Sequence, residues 1–385
     1  MTVSRLTNIP GIGVDRVGAA ADSLRDADIL RLENLDTDLR PPAAALASTH
    51  DAIDDDAANS YLPFTGQRAL REAAATRVGR SSGATYDAAS ECIVSAGGLA
   101  GILNVLLAVL EPGDEVVLTN PTYAGLINRV HLAGGVPKFA RLVPRADGWR
   151  LDLDSLAAVI GPRTKALLVM SPSMPSGYVV SHDEWRAIAE HCERYNLWLI
   201  YDAAMERILF DGREVLHPAA LPGMREHVIT VGAVSKEYRM IGWRVGWIVG
   251  PESIMNDVRL VSLSNVVCQV GIAMPGATAA LTASDDGVAV ATAEWERRRD
   301  FLMGALADLP VIRPHGGWSM LIDTRSIGLE PPHASKLLLE HGKIAATPMT
   351  NWGPDADRYL RFVFANESAA RLHDIRERIR RSWQT

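Results

Sequence analysis

Cysteine is scarce in this sequence. Cys92, Cys192 and Cys268 are its only three, odd in number and far apart, which excludes a disulfide framework and fits buried thiols in a reducing cytoplasm. Long apolar runs are missing as well: the longest, Leu99 to Leu110, is interrupted by Gly101 and Asn104 and is too short to cross a bilayer. Asp15 and Asp22 come early and no apolar core accompanies them, so a secretory signal is not expected. Positive charge is in deficit, with 39 Lys and Arg against 46 Asp and Glu and no basic stripe, which argues against a nucleic-acid partner. The ten histidines form no HExxH or paired zinc spacing. The acidic run from Asp51 to Asp56 lacks the spacing of a calcium loop and reads as solvated loop, so no metal site is expected. No Gly-x-Gly-x-x-Gly joins a strand to a helix, which removes a dinucleotide-binding dehydrogenase from consideration.

What is present is an ordinary globular composition, 48% apolar and 22% charged, in a chain of 385 residues. That length exceeds what one core usually serves, so two domains are expected. From about residue 90, apolar helical stretches alternate with short β-rich runs, the pattern of a mostly parallel sheet covered by helices. Predicted strands are Glu115 to Thr119, Ala166 to Met170, Leu197 to Tyr201, Val228 to Val231 and Val245 to Val249. Most run straight into residues with chemical potential: Asn120-Pro121-Thr122-Tyr123, Ser171-Pro172, Asp202 and Ser235-Lys236. In open α/β sheets ligands gather at such strand ends. Ser181 and Glu184 have the spacing of a capping box for a helix through Glu190, which puts Pro175-Ser176-Gly177 in the turn before it. The last hundred residues read as a smaller α+β domain. They carry a charged stretch from Glu294 to Asp300 in a long helical segment, then strands at Ser319 to Asp323 and Leu360 to Phe364. An amphipathic helix with Leu372, Ile375 and Ile379 on one face closes the chain.

The chemistry concentrates between Gly232 and Trp247. Lys236 follows Ser235, and eight residues later Arg244 sits inside Gly242-Trp243-Arg244-Val245-Gly246. This combination resembles the Schiff-base segment of the fold-type I pyridoxal-phosphate (PLP) enzymes, the class I/II aminotransferases. The resemblance implies that Lys236 bonds to the cofactor aldehyde as a Schiff base while Arg244 forks onto its phosphate. Lysine suits the task because its amine loses its proton readily when desolvated beside another cation.

Further matches run from about Tyr61 to Arg361. Asp202, 34 residues before Lys236, stands where the family keeps the carboxylate that pairs with the pyridine nitrogen and sustains the ring as an electron sink. Ser95-Ala96-Gly97-Gly98-Leu99-Ala100 resembles the family's phosphate cradle and implicates Gly97, Gly98 and Leu99, where N–H groups at a helix N-terminus meet a dianion. Tyr123 matches the aromatic residue that stacks on the cofactor ring. Tyr61, five residues before Gly66 in a run ending at Leu70-Arg71, resembles the tyrosine that reaches a neighbouring subunit's phosphate, which implies a homodimer. Arg361 matches the arginine whose planar fork grips the substrate α-carboxylate.

The sequence also departs from the family. Its Asn-Pro-x-Asn-Pro-Thr-Gly turn is here Ser171-Pro172-Ser173-Met174-Pro175-Ser176-Gly177, and Met205 replaces the tyrosine placed three residues after the ring-nitrogen Asp. Both hydrogen-bond donors to the cofactor's 3'-oxygen have thus become methionine, and a thioether cannot donate. Ala233 replaces a phosphate-binding Ser, leaving Ser235 or backbone to substitute. Leu35 lies where a glycine normally admits substrate, and is expected to narrow the pocket.

The resemblance implies an α/β fold-type I architecture, with a large PLP domain over residues 45–285 and a smaller one from 1–44 and 286–385. The activity it implies is transfer of an amino group between an amino acid and a 2-oxo acid, with Lys236 as general acid and base. A PLP lyase, cyclase or oxidase of the same fold, also passing through a quinonoid, is the alternative that Met174 and Met205 keep open. A PLP-fold sensor of a transcription regulator would need a DNA-binding module, and nothing before Tyr61 shows a basic helix-turn-helix pattern. No second arginine is assigned to a substrate side chain, and apolar residues near the site point toward a neutral one.

Overall fold

The apolar runs read as strands lie side by side in one eight-stranded sheet. Across it the order is Cys92–Ser95, Gly246–Val249, Val228–Ala233, Trp198–Asp202, Thr164–Met170, Glu115–Asn120, Val136–Arg145 and Gly148–Leu151. The architecture comes from a computed structural model that describes Val3 and residues 6–383; the remaining residues of the expected smaller domain, 1, 2, 4, 5, 384 and 385, lie outside the described residues. The middle of the sheet, from Val228–Ala233 to Val136–Arg145, is parallel throughout. Its residues are covered on both faces, which is why Val116, Leu118, Ala166, Leu168, Leu199 and Ile200 form near-continuous apolar runs. No helix among the described residues is long and apolar enough to cross a membrane.

Strand Gly246–Val249 runs antiparallel to both of its neighbours. Its reversal matters for the site. The chain leaves Val228–Ala233 at the carboxyl edge, makes the Lys236 loop, and re-enters the sheet at the same edge, so that Lys236 and Arg244 stay together. Gly246 pairs with both Ala233 and Ser95 there.

The helix His182–Tyr195 has both halves of the expected capping box, and it continues past Glu190 to a left-handed Asn196. Trp185, Ile188, Ala189 and Cys192 form its buried face. A hairpin of Val136–Arg145 and Gly148–Leu151, not expected from sequence, is tied to this helix because Glu184 accepts from Leu151 N–H at 2.7 Å.

A second, antiparallel sheet holds Val311–Ile312, Ser319–Asp323, Tyr359–Val363 and Thr347–Pro348. Leu30–Arg31 pairs in parallel with Ile344–Ala345, joining the N-terminal segment to this end of the chain. Leu372, Ile375 and Ile379 are all buried, although the closing helix begins only at Ile375. The charged stretch from Glu294 to Asp300 lies in helix Val288–Ala305 as expected, and part of it is buried: Arg299 is fully buried against Asp211, Glu296 and Asp300, and Arg298 reaches Asp38 and Glu294. The acidic run near Asp51 also differs from the loop expected. Asp51 belongs to helix Ala43–Ile53, and Asp55 caps the short turn Asp56–Asn59 by accepting from Ala57 N–H at 3.0 Å.

Candidate active site

Three parallel strands end in line, with Met170 opposite Asp202 and Asp202 opposite Val231. Asp202 is buried, and one carboxylate oxygen accepts from Ala204 N–H at 3.1 Å. Burial pushes this carboxyl up to about 6, against the pull of the Ala204 N–H and the charges of Arg129 and Lys236.

Lys236 lies three residues past the end of the adjacent strand. Its Nζ donates to Leu35 O at 2.9 Å and sits 4.8 Å from the ring centre of Trp318. Desolvation brings the amine down to about 8; Asp36 and Asp202 oppose that shift, while Arg361 and Arg244 add to it. The amine is therefore closer to a neutral nucleophile than an exposed lysine is.

Beside it, helix Gly98–Val109 opens after Gly97 in a positive-φ conformation (83°). Its first N–H groups have no intrahelical acceptors and form the positive end of the helix dipole, which favours an anion. A Cβ on Gly246 would lie 2.7 Å from Gly97 C and 2.8 Å from Gly98 N, so only glycine lets the returning strand come this close. Arg244 donates to Ile241 O at 3.0 Å and approaches Ser235 Oγ at 3.5 Å, and no carboxylate pairs with it among the described residues.

Arg361, on strand Tyr359–Val363, is buried, and burial pulls its pKa down to about 10. Its Nη2 donates to Glu33 O and to Thr347 Oγ1 at 3.4 Å, and its Nη1 to Met174 Sδ at 3.5 Å. Its Nε has no partner, its guanidinium lies 4.9 Å from the ring centre of Trp352, and no carboxylate pairs with it among the described residues. A buried cation left this way is costly unless an anion arrives.

These groups share a cavity of about 700 Å³ lined by Leu35, Gly98, Leu99, Tyr123, Met174, Asp202, Ser235, Lys236, Arg244 and Arg361 among others. Gly97 is packed behind Arg244. Leu35 engages Lys236 through its carbonyl as well as lining the wall. Besides Gly97, two expected residues are not brought to the cavity wall. Met205 is buried, 3.5 Å from where a Cβ on Gly317 would stand. Tyr61 is 83% exposed.

Sequence reasoning missed Trp352, Arg129 and the segment Gly11 to Asp15. Trp352 stacks obliquely on Tyr123 at 5.3 Å, accepts from Thr122 N–H at 3.0 Å through its carbonyl, and donates its indole N–H to Ile12 O at 3.0 Å. Arg129 donates to Leu99 O at 2.7 Å and Gly125 O at 2.8 Å, bracing the cradle against the Tyr123 helix. Gly125 was the available signal: a Cβ there would lie 2.4 Å from the Tyr123 ring. Nothing local marks Gly11 to Asp15, which reach the cavity from far along the chain.

The residues fit PLP. A glycine-walled helix N-terminus with an uncommitted guanidinium suits its phosphate, Asp202 its ring nitrogen, and Lys236 its aldehyde. Residues 30–379 match the family Aminotransferase class I and II. Over 342 residues the sequence is 34% identical to arginine–pyruvate transaminase of Pseudomonas aeruginosa, covering 87% of this chain and 85% of that protein. The structure of N-succinyldiaminopimelate aminotransferase from Mycobacterium tuberculosis is similar with a TM-score of 0.91 at 30% identity, covering 98% of this chain and 99% of that one. Aspartate aminotransferase from Thermus thermophilus, solved with maleate, gives a TM-score of 0.91 at 29% identity over 99% of each chain.

Proposed function

This chain belongs to the class I and II aminotransferases, which are PLP-dependent enzymes, and on that premise we propose how its own residues move an amino group between an amino acid and a 2-oxo acid. The observation that carries the reading is the meeting of Lys236 and Asp202 in one cavity with Arg361, whose guanidinium has no carboxylate partner among the described residues. When bound, PLP supplies an aldehyde for the substrate amine and a ring that draws in the electrons released at the α-carbon.

Arg361 orients the substrate by its α-carboxylate through a charge-assisted fork. Lys236 Nζ would take the proton from the substrate α-carbon and return it on the other side of the exchange, a task suited to an amine whose pKa burial lowers to about 8. Asp202 holds a proton on the ring nitrogen by its negative charge. Gly97, Gly98, Leu99, Ser235 and Arg244 would hold the phosphate, and Tyr123 would stack on the ring. Met174, on the cavity wall, would border the cofactor's 3'-oxygen, and Met205 is buried outside the lining.

The same reading includes a homodimer in which Tyr61 completes the partner's phosphate site. Its support is the 83% exposure of Tyr61, a large aromatic side chain, with Phe64 three residues on also exposed. It also includes a smaller domain of residues 1–44 and 286–385, supported by the pairing of Leu30–Arg31 with Ile344–Ala345, and a large one of 45–285. A cytoplasmic location accompanies it, supported by the buried free thiols of Cys92 and Cys192.

The test follows the nitrogen. The holoenzyme, given an α-15N amino acid and a second 2-oxo acid, should deliver the label into the new amino acid in equal amount to the 2-oxo acid formed from the first. Label released as ammonia, or more than one equivalent of 2-oxo acid per site formed without the second 2-oxo acid, would overturn the reading.

A further inference from the structure

Five charged side chains line the cavity: Lys236, Arg244, Arg361, Asp202 and Asp15. The proposed reaction uses four. Asp15 remains, and it forms no ion pair or side-chain hydrogen bond among the described residues. It is the second residue of helix Val14–Leu24, at the exposed mouth of the cavity, after a left-handed Gly13 that turns the chain into the helix.

The position of this segment is fixed by the substrate end of the site. Trp352 holds Ile12 O through its indole N–H at 3.0 Å, while its ring lies 4.9 Å from the Arg361 guanidinium. Ile12 and Val14 line the cavity next to that tether, with Leu35 also on the wall. A substrate held on Arg361 by its α-carboxylate therefore has an apolar path for side-chain methylenes and a carboxylate at the mouth. Among the described residues of this chain, no arginine or lysine beyond Arg361, Arg244 and Lys236 lines the cavity to receive a distal carboxylate.

We propose that Asp15 selects substrates whose side chain is an aliphatic stem ending in a cation, an ω-amine or guanidinium, and disfavours dicarboxylic ones. The proposal rests on the aminotransferase reading for the role of Arg361, and it revises the neutral side chain expected from sequence. Apolar residues serve the stem, and Asp15 serves the tip. Because Asp15 is exposed, the attraction is screened, and a selectivity of about five-fold between cationic and neutral ligands is expected.

Unreactive probes separate this claim from catalysis. The compounds 6-guanidinohexanoate, hexanoate and adipate share a six-carbon chain and the carboxylate for Arg361, differ in the charge at the far end, and carry no primary amine to condense with the cofactor aldehyde. Binding to the PLP-loaded enzyme is measured by calorimetry for the wild type and Asp15→Asn. The wild type should bind 6-guanidinohexanoate about five-fold more tightly than hexanoate and adipate least well, and the variant should bring the first ratio close to one. A carboxylate that served only the helix N-terminus would lower the melting temperature on substitution and leave the ratios untouched. Equal ratios in the two proteins, or tightest wild-type binding of adipate, would overturn the proposal. Failed 15N transfer with the expected binding order would overturn the activity and leave Asp15's role standing.

Discussion

Gly97 and Arg244 are in direct contact: a Cβ on Gly97 would lie 2.6 Å from Arg244 Nη2. The positive φ of 83° at Gly97 adds a second constraint, since a side chain there costs about 1–2 kcal/mol. Gly97→Ala should therefore displace the guanidinium from the cradle and weaken PLP binding by about ten-fold or more. Dialysis against buffer with absorbance readout measures the loss; retention equal to the wild type would mean that this loop does not hold the phosphate.

The amine of Lys236 should titrate near 8. Burial lowers its pKa from 10.5, so the reactive neutral form is fully present above pH 8 and is lost as pH falls through that value. Competitive acetylation of the apoenzyme, followed by peptide mapping, should show Lys236 reactivity levelling off above pH 8 while surface lysines keep rising. A midpoint near 10.5 would contradict the desolvated site.

Arg361→Ala should raise KM for the amino acid and leave PLP bound. The expected loss in kcat/KM corresponds to about 2–4 kcal/mol, because a buried charge-assisted contact disappears. Arg361→Lys should recover only part of it, since an ammonium keeps the charge without the fork. Lost PLP with an unchanged KM would reverse the assignments of Arg361 and Arg244.

Met174 gives a spectroscopic prediction. It lines the cavity, whereas Met205 lies outside the lining. Met174→Asn restores a hydrogen-bond donor beside the cofactor's 3'-oxygen, which stabilises the anion and eases loss of the chromophore's proton. An absorbance titration of the holoenzyme should give a lower pKa for Met174→Asn than for the wild type, with Met205→Tyr adding less. An unchanged or raised value in Met174→Asn, with PLP still bound, would mean the side chain does not approach that oxygen.

The sheet and most of the site were legible because both obey short-range rules. Strands covered on both faces give apolar runs, and Asp202, Tyr123 and Lys236 follow such runs directly. Strand Gly246–Val249 was legible as a strand but not in direction, because antiparallel pairing leaves no mark on so short a segment. The hairpin after Val136 was hidden because Pro137, Lys138, Arg141 and Pro144 break the apolar run of its strand; Asp147-Gly148 marks its turn. Trp352 and Ile12 meet across 340 residues of sequence, a contact that no local pattern encodes. The burial of Arg298 and Arg299 had the same cause, since their partners Asp38 and Asp211 lie on distant segments.

The central claim is that Lys236 is the residue through which this aminotransferase holds PLP. Borohydride reduction of the holoenzyme and peptide mapping test it directly. The pyridoxyl group should be found on Lys236, at the carboxyl edge of the sheet beside Asp202 and Arg244. Its recovery on another lysine, or reduction that leaves Lys236 unlabelled, would contradict the account.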